Sequence, residues 1–247
     1  MTRIEVIAEL SGNHMGKMNL AKKLIEKSKE AGVQFVKLQY YRTEELYTKD
    51  HPLFQKVKEA ELSIEQISEL KTFTEELGLK FVCTVFKNPK LVDDLEKIDL
   101  KYFKIRCADS HNYELIDRVL KVDNELVFIS TRKLPLNPRY LYHPKIRWMY
   151  VNPTYPPKLE EFEVDKVAVF QGFSSHFPSI VPPLAAAVAA AHRNRKEFFI
   201  EVHVTLDHNM DVVDKAVSLD FNELKTLISY LKEVEQFSWS GAWFVSD

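Results

Sequence analysis

Apolar residues fall along this chain in two rhythms. Short runs dense in Val, Ile, Leu and Phe alternate with longer stretches in which apolar positions recur every three or four residues. The first rhythm predicts strands and the second amphipathic helices. The runs lie at 4–10, 33–39, 79–86, 102–106, 125–131, 147–152, 167–173 and 198–205. Between the first two, Leu20, Leu24 and Ile25 share one face of a helix over 19–31, and Gly32 sits where a helix ends. A second helix opens at Ser63, which forms a capping-box pattern with Gln66, and ends at Gly78. Asn88 is placed to cap a short helix reaching Lys97, and further helices are predicted over 113–122, 179–192 and 222–234. Two stretches break the rhythm. Residues 40–62 are polar and aromatic, and 132–145 hold Pro135, Pro138 and Pro144, which argue against a full helix.

Eight strand candidates with helices between them are the pattern of parallel βα units. In a chain of 247 residues they predict an α/β fold, a (β/α)8 TIM barrel forming a single domain over 1–247. An open doubly wound sheet is the alternative. The absence of a GxGxxG string after the first strand weighs against it.

A barrel gathers the C-terminal ends of its strands at one mouth, where chemistry sits. The polar residues at those ends are Glu9, Lys37, Gln39, Thr84, Lys104 and Arg106 in the first half of the chain. Ser130, Thr131 and Asn152 follow, then Ser174, Ser175 and His176, and last Glu201, His203 and Thr205. Side chains alternate along a strand, so Glu201, His203 and Thr205 share a face, as do Lys104 and Arg106. Phe35, Lys37 and Gln39 share one too. A lysine flanked by apolar strand residues is costly without an anionic partner. The partner is either an acid, for which Glu9 and Glu201 are candidates, or a bound anion such as phosphate. Each residue alone also has a plain structural reading, such as a lysine on a structural carboxylate or a histidine satisfied in the core. The set is harder to read that way, because it is polar only where a barrel places its active site.

Composition narrows the classes. With 34 basic and 36 acidic residues the formal charge is -2, so no basic face for nucleic acid is expected. Cys83 and Cys107 do not make a disulfide framework. The opening MTRIEVIAEL lacks the apolar core of a signal peptide. The longest small-apolar run, 178–191, contains Pro182 and Pro183 and falls short of the about 20 residues of a membrane span. A cytoplasmic protein that binds neither nucleic acid nor membrane is expected. Three aromatics after the last helix, Trp239, Trp243 and Phe244, suggest a homo-oligomer or a tail packed on the barrel.

The strand-end strings resemble those of the sialic acid synthase family. The opening IAELSGNHMG is similar to AEIGxNHxG, VKLQYY to VKFQ, CTVF to STPF and YFKIRCAD to YKIASGE. FIST resembles LST, NPTYPP resembles TxxYP, GFSSHF resembles GYSDHT, and IEVHVTLD resembles IEKHFTLD. The match is collinear from about residue 4 to residue 235, and the SGNHMG and EVHVTLD blocks are its most specific parts. The resemblance implies condensation of phosphoenolpyruvate with an aldose such as N-acetylmannosamine, giving a 2-keto sugar acid and phosphate. It also implies a divalent metal, Mn2+ or Mg2+. By position, Lys37, Thr84, Lys104 and Ser174 match contacts to phosphoenolpyruvate, and His176 and His203 match metal ligands. Glu9 and Asp214 match contacts to the acceptor, and Ser130 and Tyr155 match further pocket positions. Glu9 or Glu201, with a raised pKa, would move the protons.

The chain departs from the family at several of these positions. It carries no stretch matching the family's C-terminal antifreeze-like domain, which donates an arginine to the partner's site. Cys107, Asp109, Ser175, Pro153 and Arg132 stand where the family has other residues. Arg106 and Arg132 replace small residues, and the expectation is that they substitute for the donated arginine in holding an anionic substrate. Two competing readings are a Schiff-base aldolase using Lys37 or Lys104, and a barrel that binds a related anion without turnover.

Overall fold

A computed structural model describes residues 1–237. The aromatic stretch ending in Trp239, Trp243 and Phe244 lies outside the described residues. Eight parallel strands pair in chain order: β1 (Arg3–Glu9), β2 (Phe35–Tyr40), β3 (Lys80–Val85), β4 (Tyr102–Ile105), β5 (Leu126–Thr131), β6 (Ile146–Val151), β7 (Gly172–Ser175) and β8 (Glu197–Val204). β1 also pairs with β8, from Arg3 opposite Glu197 to Glu9 opposite His203, and this pairing closes the barrel. A two-residue strand, β9 (Ser218–Leu219), adds to the end of β8.

The connecting helices are α1 (Met18–Ala31), α2 (Thr43–Leu46), α3 (Phe54–Ala60), α4 (Ile64–Glu76), α5 (Leu91–Lys97), α6 (Tyr113–Lys121), α7 (Pro138–Leu141), α8 (Val164–Val167), α9 (Val181–His192) and α10 (Phe221–Val234). Local chemistry explains several ends. Gly32 takes a left-handed conformation (φ 95°) and its N–H bonds back to Ser28 and Lys29, closing α1. Ser63 and Gln66 form the expected capping box on α4. Asp220 and Glu223 form another on α10. Asn88 does not cap α5 directly. Its Oδ1 accepts from Lys90 N at 3.0 Å, and the helix begins at Leu91.

Two segments depart from the pattern-based expectation. The stretch 40–62 contains α2 and α3, too short to leave a helical period in the sequence. The apolar run 167–173 is mostly not strand. α8 ends within it, and β7 starts at Gly172, where a Cβ would come within 2.7 Å of Phe199 O. The Pro-rich fifth connection holds only the single turn α7, as the prolines imply.

The barrel interior is layered. Its lower level is apolar: Ile7, Phe35, Val82, Phe128, Met149 and Phe199 form one buried cluster. The rings of Phe35, Phe128 and Phe199 meet edge to face at 5.0–6.1 Å between centroids. Below them, charge seals the bottom. Arg3 pairs with Glu5 at 2.9 Å and Glu197 at 3.2 Å, and Arg147 with Glu197 at 2.6 Å. Lys80 sits over the Phe35 ring at 4.8 Å. Outward-facing strand residues such as Val36, Leu38, Phe103 and Ile105 pack with the helices in the main core. This plugged floor leaves the opposite mouth as the open end. Among the described residues, no helix is long and apolar enough to cross a membrane.

Candidate active site

Two residues above the apolar layer, the same strands turn polar. Glu9, Lys37, Lys104 and Glu201 are each no more than 4% exposed. They form one chain of charges. Lys37 Nζ contacts Glu9 Oε2 and lies 3.0 Å from Glu201 Oε1, while Lys104 Nζ lies 2.7 Å from Glu201 Oε2. Ser174 Oγ donates to Glu201 Oε1 at 2.8 Å, and Lys104 Nζ also approaches Met149 Sδ at 3.5 Å. Register brings these partners together, since Glu9 pairs across from Lys37 and Ser174 from Glu201. Glu201 is thus the hub between two ammonium groups.

That position sets its chemistry. Burial opposes ionisation of Glu201, but Lys104 and Lys37 outweigh it and hold the carboxyl well below its usual range. Glu201 is therefore not an acid with a raised pKa, as the sequence led us to expect. It is an ionised anchor. Burial pulls on the Lys37 ammonium as well, yet Glu201 and Glu9 more than offset it and keep Lys37 above its ordinary value. Lys104 has less help, and burial with the neighbouring Lys37 pushes it down to about 8.

These groups open into a cavity of about 540 Å3. It is lined by Glu9, Lys37, Gln39, Thr84, Lys104 and Arg106 from the first four strands and their ends, then by Ser130, Tyr155, Ser174, His176, Glu201, His203 and Asp214, whereas Thr131, Arg132, Asn152 and Ser175 do not line it. Arg132 is exposed outside it and reaches only Pro153 O at 3.4 Å. The expectation that both arginines face one pocket is corrected: of the two, Arg106 alone lines the cavity. Arg106 Nε donates to Asp109 Oδ2 at 2.6 Å, and its guanidinium lies 4.6 Å from the centre of the Phe86 ring. This grip leaves its two terminal nitrogens available to the cavity. Thr205, on the strand face of Glu201 and His203, does not line the cavity. Its hydroxyl bonds to Asp207 O at 3.1 Å.

Three buried polar atoms in the same cavity have no hydrogen-bond partner among the described residues: Thr84 Oγ1, Ser130 Oγ and His203 Nδ1. Unpaired buried polar atoms are costly, and together here they mark a place for a polar ligand. His203 and His176 stand with ring centroids 5.3 Å apart, and the Tyr155 ring lies 4.7 Å from His176. Burial and the His203 neighbour push His176 down to about 3, so its ring is neutral at neutral pH. Asp214 Oδ2 lies 4.0 Å from His203 Nδ1. Imidazole nitrogen beside carboxylate oxygen is a donor set that fits a divalent cation, and two imidazoles leave positions for water and substrate. The one three-residue cluster of metal-ligand type among the described residues, His208, Asp220 and Glu223, lies elsewhere and belongs to the α10 cap.

Sequence reasoning missed Asn13 and Ser11, which help to hold Asp214. Asn13 Nδ2 donates to Val204 O and Ser218 Oγ, both at 2.9 Å, and its Oδ1 accepts from Asp214 N at 2.9 Å. The loop after β1 is thereby tied to the segment after β8. Ser11 Oγ and Tyr155 Oη donate to the two Asp214 oxygens, and Gln39 Nε2 reaches Ser11 Oγ at 3.2 Å. Burial and the Asp214 carboxylate push the Tyr155 hydroxyl up, so it keeps its proton. His14, pushed down to about 4 by burial, accepts from Gly16 N at 3.1 Å and stiffens the same loop. Gly16 has φ +68°, and a Cβ there would come within 2.1 Å of Glu59 O. The signal was present in SGNHMG as an Asn and a His in a short strand–helix connection.

The model described as NeuB family matches residues 24–133 and 147–242. An uncharacterized protein of Methanocaldococcus jannaschii is 29% identical over 96% of this chain and 72% of its own length. The N,N'-diacetyllegionaminic acid synthase of Campylobacter jejuni is 28% identical over 98% of this chain and 79% of its own. In fold, the chain is similar to the crystal structure of an N-acetylneuraminic acid synthetase from Leptospira borgpetersenii in complex with citrate. The TM-score is 0.85 at 22% identity, covering 98% of this chain and 87% of that one.

Proposed function

Because the chain belongs to the NeuB family, we propose that it condenses phosphoenolpyruvate with an aldose, forming a 2-keto sugar acid and releasing phosphate. C3 of the enol ester bonds to the aldehyde carbon, and the aldehyde oxygen takes up a proton. Water adds at C2, and the bond from C2 to the phosphate oxygen breaks to leave the ketone. The observation that carries this reading is the set of unpartnered Thr84 and Ser130 hydroxyls beside two buried lysines in one cavity. Phosphoenolpyruvate has a carboxylate and a phosphate, and ammonium groups with hydroxyl donors suit both.

Each residue then has a role at a stated atom. Lys37 and Lys104 hold the anion through Nζ. Glu201 orients both ammoniums and the Ser174 hydroxyl, and stays ionised. Glu9, which accepts from Ser11 N at 2.5 Å, would take the proton of the added water. Arg106 gives its two terminal nitrogens to an anionic substrate group. Tyr155 and Asp214 hold the acceptor hydroxyls. His176 and His203 would hold the divalent cation, Mn2+ or Mg2+. When bound, that cation supplies Lewis acidity to the aldehyde oxygen.

A second reading, a Schiff-base aldolase, draws on Lys104, whose lowered pKa eases amine attack. One experiment separates the readings. Phosphate release is followed with phosphoenolpyruvate, Mn2+ and a panel of N-acylated aldoses, and borohydride trapping with pyruvate is run beside it. Release without trapping is expected. Trapping on Lys104 favours the aldolase. Measurable phosphoenolpyruvate binding with no release from any aldose leaves a binding protein without turnover.

A further inference from the structure

The cations of the cavity are not engaged alike. Lys37 and Lys104 give their ammoniums to Glu9 and Glu201. Arg106 stands one residue past β4, and among the described residues a carboxylate takes only its Nε, through Asp109 Oδ2 at 2.6 Å. A local turn builds this pair. Asp109 N donates to Arg106 O at 3.0 Å and closes a single 3-10 turn, in which side chains three residues apart lie one above the other.

Asp109 is only 6% exposed, unlike a carboxylate in an ordinary surface ion pair. Its Oδ2 also accepts from Lys87 N at 3.2 Å. Lys87 presents that N–H with φ +54°, a conformation costly for a residue with a side chain and kept only where its surroundings fix it. Asn112 does part of the fixing. Its Nδ2 donates to Lys87 O at 2.9 Å, while its side chain accepts from Leu115 N to cap α6. Phe86, the residue before Lys87, lies against the face of the guanidinium. The connections after β3 and β4 therefore hold the Arg106 head by one edge and one face. The opposite edge, with both terminal nitrogens, stays free. An edge of that shape matches two oxygens of one carboxylate or phosphate, and a head aimed beforehand loses less freedom on binding.

We propose that Asp109 is a positioning residue for the substrate anion. It does not touch the substrate. Through Nε it aims Arg106, so that the two terminal nitrogens bind one anionic group of phosphoenolpyruvate as a fork. This rests on the reading that the cavity takes phosphoenolpyruvate. Without Asp109 the guanidinium keeps its charge and loses its aim. A lysine at 106 keeps the charge and has neither the Nε that Asp109 holds nor a second nitrogen for the anion.

The test has two arms on the full chain. The first is NMR of the ligand-free protein carrying isotope-labelled arginine. The Nε–H resonance that vanishes in R106A should be protected from exchange with water, and D109A should remove that protection. The second is calorimetric titration with phosphoenolpyruvate. D109A should weaken binding about tenfold, and D109N, which keeps an oxygen acceptor without the charge, about threefold. R106K should bind at best about a tenth as tightly as the wild type. In the R106A background either change at Asp109 should cost less than about twofold more, because its effect passes through Arg106. An Asp109 that serves the fold alone would cost the same factor with or without Arg106, and that result overturns the proposal. Wild-type affinity in R106K overturns it as well. If D109A folds poorly, D109N in the two backgrounds makes the same comparison. An unprotected Nε–H in the wild type overturns the pairing itself. A protected Nε–H in a wild type that binds no phosphoenolpyruvate overturns the reading of the cavity, and the ligand of this proposal with it, so the two failures are distinguishable.

Discussion

The lower and upper levels of the barrel interior are built on the same strands, two residues apart, and they do opposite things. Ile7, Phe35, Phe128 and Phe199 make the dry lower level. Glu9, Lys37, Ser130 and Glu201, each two positions further along, make the wet upper one. Alternation sends both members of each pair inward. The lesson is that the apolar level acts as a floor. It excludes water from beneath the charges, which strengthens their mutual attraction and makes each one costly to strip of its partner.

Four changes probe that contrast, in order of expected effect. Glu201→Ala removes the hub and leaves two buried ammoniums without their shared carboxylate. It should cost about 3–5 kcal/mol of stability and abolish phosphate release, read by denaturant melts and by assay. Phe35→Ala digs into the floor and should cost about 3–5 kcal/mol as well. In the molecules that remain folded, ligand affinity should survive, and an equal loss of affinity and stability would erase the distinction between the two levels. Arg106→Ala should weaken phosphoenolpyruvate binding about ten- to hundredfold, whereas Arg132→Ala, outside the cavity, should leave it unchanged in the same titration.

The smallest effect is one of pH. Lys104 is lowered from the ordinary 10.5 to about 8, so it carries its charge below about pH 8 and loses it above. Affinity for phosphoenolpyruvate should fall as pH rises through 8. Stability should move the other way. Between about 8 and 10.5 the unfolded chain binds the proton that the folded one has released, so this group's contribution to stability rises with pH across that window. Affinity that stays flat to pH 9.5 would show that bound ligand or Glu201 holds the proton in place.

Much of this was legible from residue order. Period-two alternation put Phe35 with Lys37, and Glu201 with His203, on the inward face, because a regular strand obeys parity. The rule fails where the strand stops. β5 ends at Thr131, so nothing in parity fixes Arg132, and it turns out to the surface. Arg106 also lies one residue past its strand, but Asp109 and Phe86 steer it back over the mouth. The run VAVFQGF reads as strand because a short apolar run fits a buried helical turn equally well, and only the close approach of Gly172 to Phe199 O reveals where pairing starts. The direction of the Glu201 shift was hidden too. It depends on two lysines distant in the chain, whose convergence is a property of the closed cylinder.

That convergence also bears on how the molecule comes into being at the ribosome. Lys37 and Lys104 are made early, while the residue that reconciles them, Glu201, arrives only with the eighth strand. A nascent chain holding seven strands would have two like charges facing one another over an aromatic base that still lacks Phe199, with an open seam beside them. Insertion of the final strand supplies the missing counterion and the missing hydrogen-bonded edge in a single event, so an intermediate short of closure has little to hold it, and ring and charge cluster are completed together.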